Sequence, residues 1–268
     1  MPVGLNSGGR APNLSNSQEL SSHPVQGVAF TSEPLPDFPW DRFEVVYQPV
    51  VDLHDGETIG YEALTRGPAG TAFETPDAFF ALAASLGRVT ELDWACIRAA
   101  VKGYAAPEEP LFVNVRPETL MGQDPMSLRM YGKLVTFRPK FPIVAEVSER
   151  GFVAGSRLAV ERLRVIQEKK VALAVDDFGT GYSGLLAFAS VKPDYIKVDR
   201  SFVAQVSGNA NVRAIIRALV QMADDVGARL VAEGVETEEE RENLTSLGVR
   251  LAQGFFFGRP GGVAKAPR

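Results

Sequence analysis

The chain has 268 residues, of which 45% are hydrophobic, so it is long enough for one large domain or two small ones. Its formal net charge of −5 at pH 7 argues against a broad basic surface for DNA or RNA polymers. A single cysteine, Cys96, excludes an intramolecular disulfide framework, and two histidines leave little material for a histidine-based zinc site.

Residues 1–38 differ in composition from the rest of the chain. They are rich in Ser, Asn, Gly and Pro with almost no apolar periodicity, so we expect a flexible tail. The segment lacks the apolar core of a signal peptide, and no run of about 18 apolar residues occurs. We therefore expect a cytoplasmic protein without membrane contact, with one domain over residues 39–262 and a C-terminal tail over residues 263–268.

From residue 43 onward, apolar runs typical of strands alternate with segments typical of helices. The predicted strands cover 43–52, 58–65, 111–115, 143–148, 171–176, 195–199, 229–233 and 251–257. The predicted helices include 76–86, 89–101, 156–169, 211–226 and 237–247. In the last of these, Thr237 and Glu240 have the spacing of a capping box. Eight strands alternating with helices indicate an α/β fold, either a closed barrel or an open doubly wound sheet.

One polar residue stands near the end of each predicted strand. In chain order these residues are Gln48, Glu62, Asn114, Glu146, Asp176, Lys197, Glu233 and Gln253. In an α/β barrel the strand ends face one shared mouth, where active sites lie, whereas an open sheet would spread them along an edge. Their regular occurrence favours the closed barrel.

The connection between the first two strands is short. Residues 48 and 62 are 14 positions apart, which is too few for a crossover helix, and Asp55-Gly56 is a hairpin turn signal. We therefore predict an antiparallel first strand in a modified TIM-type barrel, with Gln48 level with Glu62.

Two adjacent carboxylates, Asp176 and Asp177, close the apolar run that begins at Val171. Neighbouring side chains in a strand point to opposite faces. We expect Asp176 to be the last inward-facing residue, with Asp177 at the strand end, where its carboxylate can turn toward the same mouth. The glycine-spaced segment after residue 178 is typical of a mobile loop.

The expected mouth combines several oxygen ligands with one cation, Lys197. The oxygen ligands are those of Glu62, Asn114, Glu146, Asp176 and Glu233. Without a cation, the carboxylates would repel one another and raise one another's pKa. Carboxylate and amide ligands favour Mg²⁺ or Mn²⁺, and two such ions suit in-line hydrolysis of a phosphodiester. Lys197 is a candidate for steering water or a phosphate oxygen.

The motifs at these positions resemble one family. Glu62-Ala63-Leu64 supplies the tripeptide EAL, and the chain continues in order with VNV, EVSE, DDFGTGYS, IKVDRSFV, AEGVET and QGFFFGRP. This set, which spans roughly residues 40–261, resembles the EAL-domain phosphodiesterases. That family hydrolyses the bacterial second messenger cyclic di-GMP to linear pGpG, and its modified barrel has an antiparallel first strand.

The resemblance implies two metal ions at the mouth. The ligands of the first ion would be Glu62, Asn114, Glu146 and Asp176. The ligands of the second would be Asp176, Asp177 and Glu233. Both ions would be Mg²⁺ or Mn²⁺, and Ca²⁺ should inhibit because its looser geometry misplaces the attacking water.

The resemblance also implies the catalytic and substrate-binding residues. The expected catalytic residues are Lys197, Glu233 and Glu236. Lys197 would orient or deprotonate the attacking water, and Glu236 would support the water or the loop after the fifth strand. The remaining matched positions are Gln48 and Gln253 at the substrate and water site, Arg66 at a substrate phosphate, and Asp199 at the fringe of the metal site.

Two departures from the family pattern concern the substrate rather than the metal ligands. Arg116 stands where serine is common, and Gly67 follows Arg66 where tryptophan is frequent, so both could alter guanine contacts. The main alternative function is a catalytically silent cyclic di-GMP receptor or interaction module on the same fold. A third is a barrel enzyme acting on another phosphodiester. Because the set of expected metal ligands is complete, we favour the phosphodiesterase. The family resemblance also implies a homodimer.

Overall fold

The computed structural model describes residues 42–106, 108–123, 127–129, 131–132, 140–149, 157–179 and 191–263. The predicted N-terminal tail lies outside these residues, as do the loop predicted after Gly179 and residues 264–268. Among the helices of the described residues, none is both long and apolar enough to cross a membrane.

Eight strands form a closed barrel in chain order. They are β1 Glu44–Asp52, β2 Thr58–Arg66, β3 Leu111–Asn114, β4 Ile143–Ser148, β5 Ala172–Phe178, β6 Tyr195–Val198, β7 Arg229–Ala232 and β8 Leu251–Gln253. Strand β1 runs antiparallel to both β2 and β8, and all other neighbours are parallel. The closed barrel with an antiparallel first strand is confirmed, and the open sheet is excluded.

The hairpin between β1 and β2 has the predicted register, with Gln48 opposite Glu62. Gly56 adopts a φ of 77°, a conformation that glycine reaches without steric cost. Asp55 Oδ1 accepts a hydrogen bond of 2.9 Å from the backbone N–H of Glu57, which fixes the turn. This short connection makes β1 antiparallel and places two polar side chains side by side.

Helices surround the barrel. They are α1 Pro76–Ser85, α2 Val89–Gly103, α3 Pro117–Met121, α4 Arg157–Glu168, α5 Arg200–Val203, α6 Ala210–Val226 and α7 Glu238–Ser246. The ends of α6 follow from local chemistry, because the Asn209 side chain caps its first turn and Gly227 ends it with a φ of 74°. The sequence prediction omits α3 and α5, which are too short to show a helical period.

An apolar layer inside the barrel lies directly beneath the polar mouth. Its buried members are Val50, Phe112, Val144, Ala174, Tyr195, Val231 and Leu251. Each lies two positions from one of the polar residues at the mouth, and residues two apart in a strand share a face. Gly60 completes the layer without a side chain, since a Cβ there would lie 2.8 Å from the Phe112 ring. The barrel therefore supports its mouth on a packed floor.

The prediction that the last strand extends to residue 257 is wrong, because β8 ends at Gln253. Gly254 lies so close to the loop after β7 that a Cβ would lie 2.0 Å from the Val235 carbonyl oxygen. The same carbonyl accepts a hydrogen bond of 3.0 Å from the N–H of Phe256. The apolar run after the strand is therefore a turn, and Phe255 is 46% exposed at the mouth instead of lying in the core.

A reciprocal pair of hydrogen bonds caps the first turn of α7. The Thr237 side chain accepts from the N–H of Glu240, and the Glu240 carboxylate accepts in return from the N–H of Thr237, which confirms the predicted capping box. Thr237→Ala should lower the free energy of unfolding by about 1 kcal/mol, measured by urea denaturation. Thr237→Ser retains the hydroxyl and should lose much less. Equal losses in the two variants would contradict this role of the cap.

Candidate active site

The barrel mouth carries a buried cluster of ion pairs around one ammonium group. Lys197 in β6 is 1% exposed, and four carboxylates surround its Nζ. The N–O distances are 3.2 Å to Glu62, 2.8 Å to Glu146, 3.6 Å to Asp176 and 2.6 Å to Glu233. The structure thus brings together five of the residues that the sequence analysis expects at the mouth.

The protonation equilibria of the cluster reflect crowding of negative charge. Burial opposes the charge of Lys197, but its carboxylate neighbours outweigh burial and raise its pKa well above the usual value. Burial, reinforced by repulsion from Glu62, raises the pKa of Glu146 well above its usual range. Burial also raises the pKa of Glu233 to about 8, although Lys197 opposes this. At Glu62 burial is outweighed by Lys197 and Gln253, which hold its pKa below the usual value.

Amide side chains fix the orientation of Glu62. The Nδ2 group of Asn114, at the end of β3, lies 3.1 Å from Glu62 Oε1 and 3.3 Å from Glu146 Oε2 and donates to both. The Nε2 group of Gln253 donates to Glu62 Oε2 at 2.7 Å and to Gln48 Oε1 at 3.0 Å. Both oxygens of Glu62 therefore accept a hydrogen bond from an amide, and Gln48 steadies one of the donors.

Asp176 and Asp177 both line the mouth although they are neighbours in β5. The pairing of β5 with β6 shifts register between Val175 and Phe178, which marks a bulge. Asp177 adopts a φ of 55°, a left-handed conformation that Asp tolerates better than most residues. Its N–H donates to Asp176 Oδ1 at 2.9 Å. A bulge within β5, rather than the end of the strand, therefore turns Asp177 toward the mouth.

Asp176, Asp177 and Glu233 have the spacing of a cation site. One carboxylate oxygen from each lies within 4.8 Å of the other two. Oxygen ligands bind Mg²⁺ or Ca²⁺ at about 2.0–2.6 Å, so two oxygens on one ion are at most about 4–5 Å apart. The spacing and the hard-oxygen chemistry of these carboxylates both fit a divalent ion.

Three other residues of the predicted site lie farther from the cluster. Glu236 and Asp199 line the same cavity as Glu233, and Asp199 also caps the first turn of α5. Arg66 shares the face of β2 that carries Glu62, but four residues farther along, roughly 13 Å at the usual rise of a strand. Its Nη1 donates to an adjacent backbone carbonyl, and it is not among the described residues that line the two cavities at the mouth.

The role of Glu149, which follows β4, is not predicted from the sequence. This buried carboxylate accepts a hydrogen bond of 2.9 Å from the N–H of Gly179, directly after β5. Among the described residues, Glu149 thus holds the start of the segment after β5. The motif EVSE contains Glu149, but nothing in the spacing indicates a partner 30 residues away.

Asp93 in α2 is a second residue whose contact was missed. It is 2% exposed, and its Oδ2 accepts from the N–H of Arg116 at 3.0 Å and from the Thr119 hydroxyl at 2.6 Å. Burial raises the pKa of Asp93 to about 6, although both hydrogen bonds oppose the shift. Asp93 therefore anchors the loop that follows Asn114.

Two cavities open at the mouth and share three lining carboxylates, Glu62, Asp176 and Asp177. The first has a volume of about 470 Å³ and extends toward α1 and α2, where Arg116 lines it. The second has a volume of about 340 Å³ and extends toward the turn after β8, where Phe255 lines it. The arrangement offers a charged centre with space on either side for a ligand.

Comparison with known proteins identifies relatives of the chain. Cyclic di-GMP phosphodiesterase RocR of Pseudomonas aeruginosa is 32% identical over 226 residues, which cover 82% of this chain and 57% of RocR. Cyclic di-GMP phosphodiesterase NbdA of the same organism is 32% identical over 232 residues, which cover 82% of this chain and 29% of NbdA. The chain therefore spans only part of the length of these curated relatives.

The solved structures that resemble the chain include BlrP1 of Klebsiella pneumoniae in complex with manganese and cyclic di-GMP. It superimposes with a TM-score of 0.72 at 30% identity, over 85% of this chain and 57% of that one. The family model described as the EAL domain matches residues 38–260, which are most of the sequence. The closed barrel and its carboxylate mouth agree with this match, and the chain belongs to the EAL domain family.

Proposed function

We propose that this chain hydrolyses cyclic di-GMP to linear pGpG in a metal-dependent reaction and so lowers the level of the second messenger. The observation that supports this most directly is the convergence of acidic side chains at one barrel mouth. They are Glu62, Glu146, Asp176, Asp177 and Glu233. Such a mouth would repel a phosphodiester unless cations intervened. RocR and NbdA are named as cyclic di-GMP phosphodiesterases, which also supports the proposal.

Two ions, either Mg²⁺ or Mn²⁺, fit the donor set. The residues that would hold the first are Glu62, Asn114, Glu146 and Asp176. Those that would hold the second are Asp176, Asp177 and Glu233. A half-turn of the Asn114 amide would exchange its donor group for the oxygen that a metal requires. Bound ions would neutralise the carboxylates, polarise the phosphate and lower the pKa of a bound water.

The side chains of the cluster have separate tasks in this proposal. Lys197 keeps a positive charge in the mouth and, in that state, orients the attacking water. To deprotonate the water, the other role that the family resemblance implies, its ammonium would first have to lose a proton. Glu233 holds the second ion, and Glu236 supports the water or the loop after β5. Gln253 donates to Glu62 and so keeps that ligand in one orientation.

The rest of the substrate occupies the two cavities in this proposal. Their volumes, about 470 and 340 Å³, are in the range of small-molecule sites. Gln48 and Gln253 face the second cavity, and Asp199 lies at its edge. Arg66 lies farther along its strand and would meet a substrate phosphate only if the substrate reaches the outer rim.

The proposal includes a cytoplasmic location, because a second messenger is an intracellular nucleotide. It also includes the homodimer suggested by the family resemblance. The barrel mouth is built from a single chain, so the ligand set described above does not depend on a second copy. Sedimentation of the purified chain at several concentrations would decide its oligomeric state.

Chromatography of cyclic di-GMP incubated with the purified chain tests the proposal. With Mg²⁺ or Mn²⁺ we expect pGpG to appear, and chelation by EDTA should stop its formation until the metal is restored. Ca²⁺ alone should not support turnover, and added Ca²⁺ should inhibit the Mg²⁺ reaction. Full activity with Ca²⁺ alone would contradict the metal assignment. Binding of cyclic di-GMP without any pGpG would favour the silent receptor instead.

Glu62→Ala should lower turnover by more than about 100-fold. Loss of a residue that only supports a metal ligand already costs up to about that much, and Glu62 is a proposed ligand. The fold should survive, because Lys197 keeps three other carboxylate partners. Circular dichroism and thermal unfolding would establish that it does. Glu57→Ala, an exposed change on the same hairpin, is the matched control and should leave turnover unchanged. Wild-type activity in Glu62→Ala would exclude Glu62 as a ligand.

Asp176 and Asp177 should differ in their effects on metal binding. Titration of the wild-type chain with Mn²⁺ should reveal two sites. Asp177→Asn should weaken one, and Asp176→Asn should weaken both, since only Asp176 is shared. Asparagine tolerates the φ of 55° at residue 177, so the backbone should not change there. Identical effects of the two substitutions would exclude this division of roles.

A further inference from the structure

Arg116 lies at the first cavity in a backbone conformation that is fixed from the protein interior. It follows Asn114, the last residue of β3, by two positions and precedes α3. The buried carboxylate of Asp93 accepts its backbone N–H at 3.0 Å. Because this contact uses the backbone, the Arg116 side chain is not needed to hold the loop.

The guanidinium of Arg116 is a flat cation with one face covered. Its Cζ lies 3.9 Å from the centroid of the Phe80 ring, within the range of a cation–π contact. Among the described residues, no carboxylate forms a salt bridge with Arg116 and none accepts a hydrogen bond from its side chain. A half-buried guanidinium in this state keeps five N–H donors for a ligand.

The surroundings of Arg116 favour a base over a phosphate. Arg116 lines the same cavity as Glu62 and Asp176, so a ligand at the carboxylates can extend to it. Phe80 packs against Arg116, and Phe80 and Pro76 give this cavity flat apolar walls, with Asp77 between them in α1. A phosphate is drawn to cations held by the carboxylates, whereas a planar purine matches this apolar end. The guanidinium fork pairs with two acceptors on one edge, which guanine supplies as O6 and N7.

We propose that Arg116 recognises the O6 and N7 edge of one guanine base and so selects guanine over adenine. This inference rests on the proposed function, because it assigns part of the same substrate. Adenine presents an amino donor where guanine has O6, and two donors would then face each other. Arg116 acts as a specificity residue that touches the substrate away from the scissile phosphate.

Steady-state kinetics give the first test. Arg116→Ala should raise the KM for cyclic di-GMP about tenfold and leave kcat within about twofold, since a bidentate pair is worth about that or more. Arg98→Ala, an exposed arginine change on α2, should leave both constants unchanged. Arg116→Lys keeps the charge but lacks the fork, so its KM should stay raised. Wild-type KM in Arg116→Lys would overturn recognition of the base edge.

Equilibrium binding with Ca²⁺ in place of Mg²⁺ gives the second test, using cyclic di-GMP and an analogue with 7-deazaguanine bases. The wild-type chain should bind the analogue about tenfold more weakly, and Arg116→Ala should bind the two ligands equally. An equal loss in both proteins would overturn the inference. Normal binding in this assay, together with no pGpG formation when Mg²⁺ or Mn²⁺ is supplied instead, would overturn the phosphodiesterase proposal but retain this one. No binding of cyclic di-GMP by the wild type would overturn both.

Discussion

The concentration of negative charge at the barrel mouth is the constraint on which the rest of the structure depends. Among the described residues, four carboxylates surround the buried ammonium of Lys197 and Asp177 lies next to them, so the cluster carries more negative charge than Lys197 neutralises. Desolvated charges of this kind cost stability unless each is paired and oriented. The amide donors of Asn114 and Gln253, together with the packed floor beneath, hold the carboxylates in place despite their repulsion. A bound cation would relieve the same repulsion.

The residues of this mouth can be predicted from the sequence because side chains in a strand return to the same face every two residues. In each strand a polar residue stands two positions from an apolar one, as Asn114 does from Phe112, and the closed barrel puts all such pairs on its inner face. The short hairpin likewise leaves little choice of register, so Gln48 lies opposite Glu62 as expected. Such patterns predict the structure reliably because the local geometry of the strand and the burial in the barrel put the same side chains on the inner face.

The features that the sequence does not predict depend on contacts between distant segments. Asp177 reaches the mouth as expected, but through a bulge with a left-handed residue and not because the strand ends there. The apolar run after β8 has the composition of a strand, but the close approach of Gly254 to Val235 turns the chain and exposes Phe255. The partners of Glu149 and Asp93 lie more than 20 residues away, and no spacing rule connects them.

Strands and loops divide the work of the mouth. Most of the carboxylates, and Lys197, lie on or directly after strands that share a packed floor, so their positions are coupled through the barrel. Arg116 and Phe80 lie on a loop and on a helix outside the barrel wall and meet through a side-chain contact alone. Changing Arg116 therefore alters one wall of a cavity without moving a carboxylate, since Asp93 holds the loop through its backbone. A barrel that separates these tasks can change the base it prefers while it keeps the chemistry of its centre.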